Sequence, residues 1–167
     1  DLYGTGDSGG EFADARWQIW LEDVAAAAHW LARRLPGRLG LCGLRLGGTV
    51  AETAAAAEPK RFHRLLLWQP VVDGKAMMTQ FLRLRVAASM GGGEARENTD
   101  QLRAELSAGR PLEVAGYTLA PELAAAIDGA RLDGLRPGTD VAVDWLEVAA
   151  EAGRGLTPAA HRVAEGW

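Results

Sequence analysis

Ten residues, Leu39-Gly40-Leu41-Cys42-Gly43-Leu44-Arg45-Leu46-Gly47-Gly48, constrain this chain more than any others. The run begins apolar, as a short strand does, then passes through glycines 43, 47 and 48 into an alanine-rich stretch. Glycines at this spacing serve a sharp turn in which backbone passes close to backbone. The segment reads as strand, tight turn and helix, with Arg45 at the apex.

A turn of this kind is the skeleton of the nucleophile elbow, G-x-S-x-G, which lifts a serine above a parallel sheet. In this chain the five residues are Gly43-Leu44-Arg45-Leu46-Gly47. A guanidinium is protonated at any workable pH and cannot attack a carbonyl. What remains is the N–H of Leu46, the position that contributes to an oxyanion hole in such elbows. Two roles stay open for Arg45. It presents a bidentate fork to a carboxylate or phosphate, or it ion-pairs with a local acid, such as one in the loop over residues 1–12.

The flanking sequence supplies the rest of the frame. Asp14 is expected to cap a helix whose buried face carries Trp17, Trp20, Leu21, Val24, Ala28 and Leu31. Pro36-Gly37 ends it. Strands are expected over 39–43, 64–70 and 141–148, with helices over 47–58 and from Thr157-Pro158 onward. This alternation with short links implies a parallel sheet flanked by helices. Between residues 73 and 137 the alternation stops, and helical stretches at 77–90, 99–106 and 121–128 surround an extended piece over 112–119. The expectation is an α/β fold, an α/β-hydrolase-type parallel sheet with a helical cap inserted at 73–137. One domain is expected across residues 1–167. It is expected to be incomplete at both ends, since the chain opens on Asp1 and stops at Trp167 within a helical pattern.

Several function classes find no support. The formal net charge is −4, and no basic stripe with interleaved aromatics points to nucleic acid. Arg33, Arg34 and Arg38 sit at a helix end, where cations suit the macrodipole. The single cysteine, Cys42, lies in an apolar strand, so a reducing compartment such as the cytoplasm fits. No run approaches ~18 apolar residues, so no membrane span is expected. Gly4-x-Gly6-x-x-Gly9 matches a dinucleotide fingerprint literally. Its helix starts too late, however, and the nearest acids, Glu22 and Asp23, lie inside that helix, so no cofactor is expected. Three histidines and one cysteine without close spacing give no metal site.

The remainder of a hydrolytic triad is thin. The acid would follow the last strand, which makes Glu147 the first candidate and Glu151 the second; Asp144 falls too early. Each also reads as a solvated or strand-edge carboxylate. His29 lies in the first helix, His63 before the second strand and His161 in the last helix, none where a base is needed. Ser8 is the nearest motif serine and has no histidine partner in sequence.

Six stretches together carry a resemblance: Asp1-Leu2-Tyr3-Gly4-x-Gly6-Asp7-Ser8, Trp17-Gln18-Ile19-Trp20-Leu21, Gly43-Leu44-Arg45-Leu46-Gly47, Leu66-Leu67-Trp68-Gln69-Pro70-Val71, Gln80-Phe81-Leu82-Arg83-Leu84-Arg85 and Glu113-Val114-Ala115-Gly116-Tyr117. They resemble the second of the hydrolases associated with the exosortase A system, within the α/β-hydrolase superfamily. The resemblance implies a bacterial cytoplasmic protein encoded alongside exopolysaccharide synthesis and the sorting of proteins with a PEP-type C-terminal signal. It implies too that arginine at the elbow is a family trait, and that a full member carries further strands and a histidine not found here. Two functions follow as expectations. One is a hydrolase or acyltransferase acting on a small-molecule or acyl ester or thioester. The other is a non-catalytic accessory protein in which Arg45 grips an anionic ligand or partner. The sequence leaves the oligomeric state open.

Overall fold

Helix α1 (Trp17–Ala32), strand β1 (Leu39–Leu44), helix α2 (Leu46–Ala57) and strand β2 (Phe62–Trp68) follow one another with short links. After them come α3 (Gly74–Ser89), α4 (Thr99–Ser107), β3 (Leu112–Val114), β4 (Tyr117–Leu119), α5 (Pro121–Gly129), β5 (Ala142–Leu146) and α6 (Pro158–Gly166). The computed structural model describes residues 1–89, 97–151 and 153–167, so the expected helix end at Met90 lies outside the described residues. Strands β1, β2 and β5 form one sheet in that order, all parallel, with Cys42 beside Leu66 beside Asp144 and Leu44 beside Trp68 beside Leu146. The expected alternation and its parallel pairing are therefore present. Strand β2 starts two residues early because Leu39 pairs with Phe62 through a register shift, which places His63 inside the strand rather than before it.

The chain divides into two compact units. One comprises Asp1–Trp20 and Gly74–Ala130. Its apolar core draws on Met78 and Leu82 of α3, Leu102 of α4, Val114 and Leu119 of the hairpin, and Leu123 of α5. Helix α4 opens on a capping box in which Asn98 and Gln101 satisfy each other's backbone N–H. The hairpin between β3 and β4 turns through Ala115 (φ 52°) and Gly116 (φ 84°), the two left-handed positions a two-residue turn demands. Asp14 does not cap α1. It closes a 3₁₀ turn over Phe12–Asp14, and the extended Ala15 separates that turn from the helix.

The other unit comprises Leu21–Asp73 and Arg131–Trp167 and contains the parallel sheet. Ala28, Ala55, Phe62, Leu65 and Leu67 form its core, flanked by Val143, Trp145 and Trp167. Side chains alternate across a strand, so the partners of this buried set, including Cys42, Leu44 and Trp68, face out. Cys42 is thus exposed, contrary to its apolar context. Leu31, expected on the buried face of α1, is also exposed, because the helix buries only a narrow stripe through Trp20 and Ala28. Where the chain leaves and re-enters this unit, Asp73 and Arg131 form an antiparallel bridge, and their side chains pair at 3.0 Å. Among the described residues no helix is long and apolar enough to cross a membrane.

Candidate active site at the elbow

Arg45 adopts φ 54° and ψ −121° between β1 and α2. A non-glycine residue held there stores on the order of 1–3 kcal/mol, and such strain survives when the surroundings over-determine it. Three backbone hydrogen bonds do so. The Arg45 N–H donates to the carbonyl of Trp68 (3.0 Å), and the N–H groups of Gly48 (3.0 Å) and Val71 (3.2 Å) donate to the Arg45 carbonyl. The glycines that the turn requires are Gly43 and Gly48. A Cβ on Gly43 would strike Gly47, one on Gly48 would lie 2.9 Å from Pro70, and one on Gly47 would meet open space. The Arg45 side chain is exposed. Among the described residues its guanidinium has no hydrogen-bond or ion-pair partner. Leu46 opens the 12-residue helix α2, where the first N–H groups have no intrahelical acceptor and the helix dipole favours negative charge.

The C-terminal ends of β2 and β5 lie beside this turn, as the strand register requires. Gln69, at φ 46°, donates its N–H to the carbonyl of Leu146 (2.7 Å), while its Oε1 accepts from the Val148 N–H (2.7 Å). Glu147 follows β5, at the position expected for a triad acid. Its Oε1 accepts from Trp145 Nε1 (3.3 Å) and from the Thr157 hydroxyl (3.1 Å), and its Oε2 accepts from the Thr157 N–H (2.7 Å). The carboxylate thereby braces the loop into α6, whose N-cap is Thr157. Arg45, Leu46, Gln69 and Glu147 thus cluster at the strand ends where open α/β sheets place their ligands.

A family model described as alpha/beta hydrolase domain containing 18 matches residues 18–122, more than half of the chain. The chain belongs to this alpha/beta hydrolase family. Its fold is shared with GrgF, an alpha/beta hydrolase from Penicillium sp. sh18 (TM-score 0.60, 17% identity, 99% of this chain and 65% of that one). It is shared as well with Est1E from Butyrivibrio proteoclasticus, solved with ferulic acid bound (0.58, 19%, 89% and 65%). A third is alpha/beta hydrolase domain-containing protein 10 from mouse (0.56, 18%, 88% and 54%). The chain spans between 54% and 65% of the length of these three structures. No curated protein matches it. The superfamily that the sequence motifs resemble is the one found; the exosortase A association is not among these findings.

The turn from β1 into α2 carries Arg45 where the G-x-S-x-G pattern has serine. Glu151 is exposed in the loop after β5, and Asp144 is paired with Arg64 through two hydrogen bonds. His29 contacts Arg61 at 2.6 Å, His63 Nδ1 lies 2.9 Å from the Leu39 carbonyl, and His161 pairs with Glu165 within α6. The Ser8 hydroxyl donates to the Asp1 carbonyl at 2.8 Å. Its loop is a set of turns at Gly4, Gly6 and Gly10, all at positive φ, with the Asp1 carboxylate accepting from the Asp7 N–H. Those glycines serve the chain reversal itself. Among the described residues no group of three or more histidine, cysteine, aspartate and glutamate side chains converges on a metal position.

Sequence reasoning missed two residues. Gln69 ends an apolar run just before Pro70, and its left-handed backbone carries no sequence signature beyond that break. Glu52 is fully buried on α2 with both carboxylate oxygens unpaired. Burial pushes its carboxyl up to about 7 from 4.5. A lone carboxylate inside an alanine-rich helix packed on a sheet was the available signal.

Proposed function

We propose that the elbow of this protein holds an anionic group instead of attacking a carbonyl, with Arg45 and the Leu46 N–H as its donors. The observation that carries this reading is the strained Arg45 apex, the residue immediately before α2, whose exposed guanidinium has no partner among the described residues. A carboxylate or phosphate fits both donors, since a guanidinium engages either in a bidentate fork and a helix N-terminus favours negative charge. The ligand class is a small molecule or acyl compound bearing such a group. A structural neighbour bound to ferulic acid supports a small-molecule ligand. In this reading, which leans on the resemblance to the exosortase A-associated hydrolases, that ligand belongs to envelope or exopolysaccharide biogenesis in a bacterial cytoplasm.

Family membership favours a second reading, ester or thioester hydrolysis or acyl transfer. In it the same two donors stabilise the oxyanion of a tetrahedral intermediate. The nucleophile must then be a group other than Arg45, because a protonated guanidinium has no nucleophilic atom; Glu147 holds the triad-acid position, its oxygens accepting three hydrogen bonds.

Isothermal calorimetry of the full chain with octanoate and with glycerol phosphate tests the first reading. Arg45→Ala should weaken binding at least roughly tenfold, in line with the loss of a charge-assisted pair, and Arg45→Lys should restore only part of it. Binding unchanged in Arg45→Ala would refute the anion site. Turnover of a p-nitrophenyl ester that falls in Arg45→Ala while octanoate binding persists would favour the second reading.

A further inference from the structure

At the end of the sheet opposite Arg45, the turn from α1 into β1 meets the link from α2 into β2. Every residue from His29 to Arg38 is exposed. Three of them are large apolar side chains: Trp30, Leu31 and Leu35, at 49%, 36% and 53% exposure. Interleaved with them are Arg33, Arg34 and Arg38. The Arg34 guanidinium lies 3.9 Å from the centre of the Trp30 ring, so charge and indole form one stack. A groove of about 510 Å³ follows, lined by Arg38, Lys60, Arg61 and Glu58 among others. Arg38 donates to the Phe62 carbonyl at 2.7 Å, which fixes it over the strand ends. Arg61 pairs with Glu58, the carboxylate of this groove, and also contacts His29. In a chain of net charge −4, five cations, Arg33, Arg34, Arg38, Lys60 and Arg61, thus stand on this face with Glu58 in the groove, mixed with exposed tryptophan and leucine.

We infer that this face docks the protein on an anionic phospholipid surface, with Trp30, Leu31 and Leu35 entering the interface and Arg33, Arg34, Arg38 and Lys60 meeting lipid phosphates. Tryptophan is favoured at the level of the headgroups. Long arginine side chains keep their charge in the polar layer while their stems cover apolar surface. Each cation near an anionic leaflet contributes about 1 kcal/mol, or roughly a fivefold gain in partitioning. Nucleic acid fits less well, because exposed leucines gain nothing against phosphates or base edges. The attachment is peripheral and needs no spanning helix.

Co-sedimentation of the full chain with vesicles tests the inference. Vesicles of equal parts phosphatidylglycerol and phosphatidylcholine should bind the protein, phosphatidylcholine alone should bind it weakly, and high salt should release it. The triple change Arg33→Ala, Arg34→Ala, Arg38→Ala should lower partitioning roughly 100-fold at about fivefold per charge. Trp30→Ala with Leu35→Ala should lower it too while leaving the salt dependence in place. All five positions are exposed, so melting temperatures should match the parent and report intact folding. Absence of binding to the charged vesicles, equal binding to neutral ones, or partitioning unchanged by the triple substitution would overturn the inference. Tight binding of a single-stranded oligonucleotide without vesicle binding would overturn it as well, and would assign the patch to nucleic acid.

Discussion

A Cβ placed on Gly43 would lie 2.3 Å from the carbonyl oxygen of Gly47. No side-chain rearrangement relieves that clash, because the obstructing atom is backbone. Gly43→Ala should therefore destabilise the protein by about 3 kcal/mol, the range of a substitution that forces a turn open. Gly47→Ala should stay within about 1 kcal/mol of the parent, since its position is open and alanine is the better helix former. Urea titration of both variants compares them directly, and equal losses would count against the elbow geometry.

Strain at the apex makes a separable prediction. Arg45→Gly should be more stable than Arg45→Ala by about 1 kcal/mol, because glycine reaches φ 54° and ψ −121° without penalty and alanine does not. Both variants should lose anion binding alike. Thermal melts read the first effect and calorimetry the second, so a stability gain traded against function appears as opposite movements.

Glu52 gives the stability a pH dependence. Its carboxyl titrates near 4.5 in the unfolded chain and is raised to about 7 in the fold by burial. The folded state holds its proton to higher pH, so the contribution is complete below about 4.5 and lost as pH rises through about 7. Glu52→Gln should flatten that decline and raise stability at pH 8 by on the order of 2–3 kcal/mol. Urea midpoints measured from pH 4 to pH 8 check it; parallel curves for parent and variant would show that Glu52 is not the group responsible.

The sheet was legible because its strands are apolar runs bounded by breakers, and the elbow because Gly43 and Arg45 stand in an uncommon local pattern. The reading failed where tertiary placement overrides local pattern. Leu31 continues the apolar stripe of α1 yet nothing covers it. Asp14 has the chemistry of a cap, but Ala15 interposes an extended residue. Glu147 shows the limit for site residues: spacing after β5 suggested it, whereas its engagement with Thr157, ten residues on, depends on how the following loop folds back.

That engagement predicts what Glu147 does. Glu147→Ala removes the acceptor for Trp145 Nε1 and for both donors of Thr157. The expected result is a loss of about 1–2 kcal/mol of stability, typical for hydrogen bonds to a charged group near solvent. Ligand affinity at the elbow should change less than about threefold, within the reach of such a loop adjustment. A collapse of activity by several orders of magnitude with stability preserved would instead mark Glu147 as a catalytic acid.

The final prediction concerns the nucleophile. The native protein should resist labelling by fluorophosphonate probes, which require a serine activated by a base within hydrogen-bond reach. The chain has three serines, Ser8, Ser89 and Ser107. The Ser8 hydroxyl is engaged with the Asp1 carbonyl, and that of Ser89 with the Val86 carbonyl, so neither donates to an imidazole. Ser107 lies on α4 beside Arg103 and Asp128 in a small cavity whose described lining contains no histidine. Arg45→Ser would place a hydroxyl on the strained apex, yet His29, His63 and His161 are each engaged elsewhere, so its labelling should stay slow too. Intact-mass spectrometry after probe treatment reads the outcome. Stoichiometric labelling of the native chain, lost in Ser8→Ala or Ser107→Ala, would give the protein a serine nucleophile away from the elbow and make hydrolysis the stronger reading.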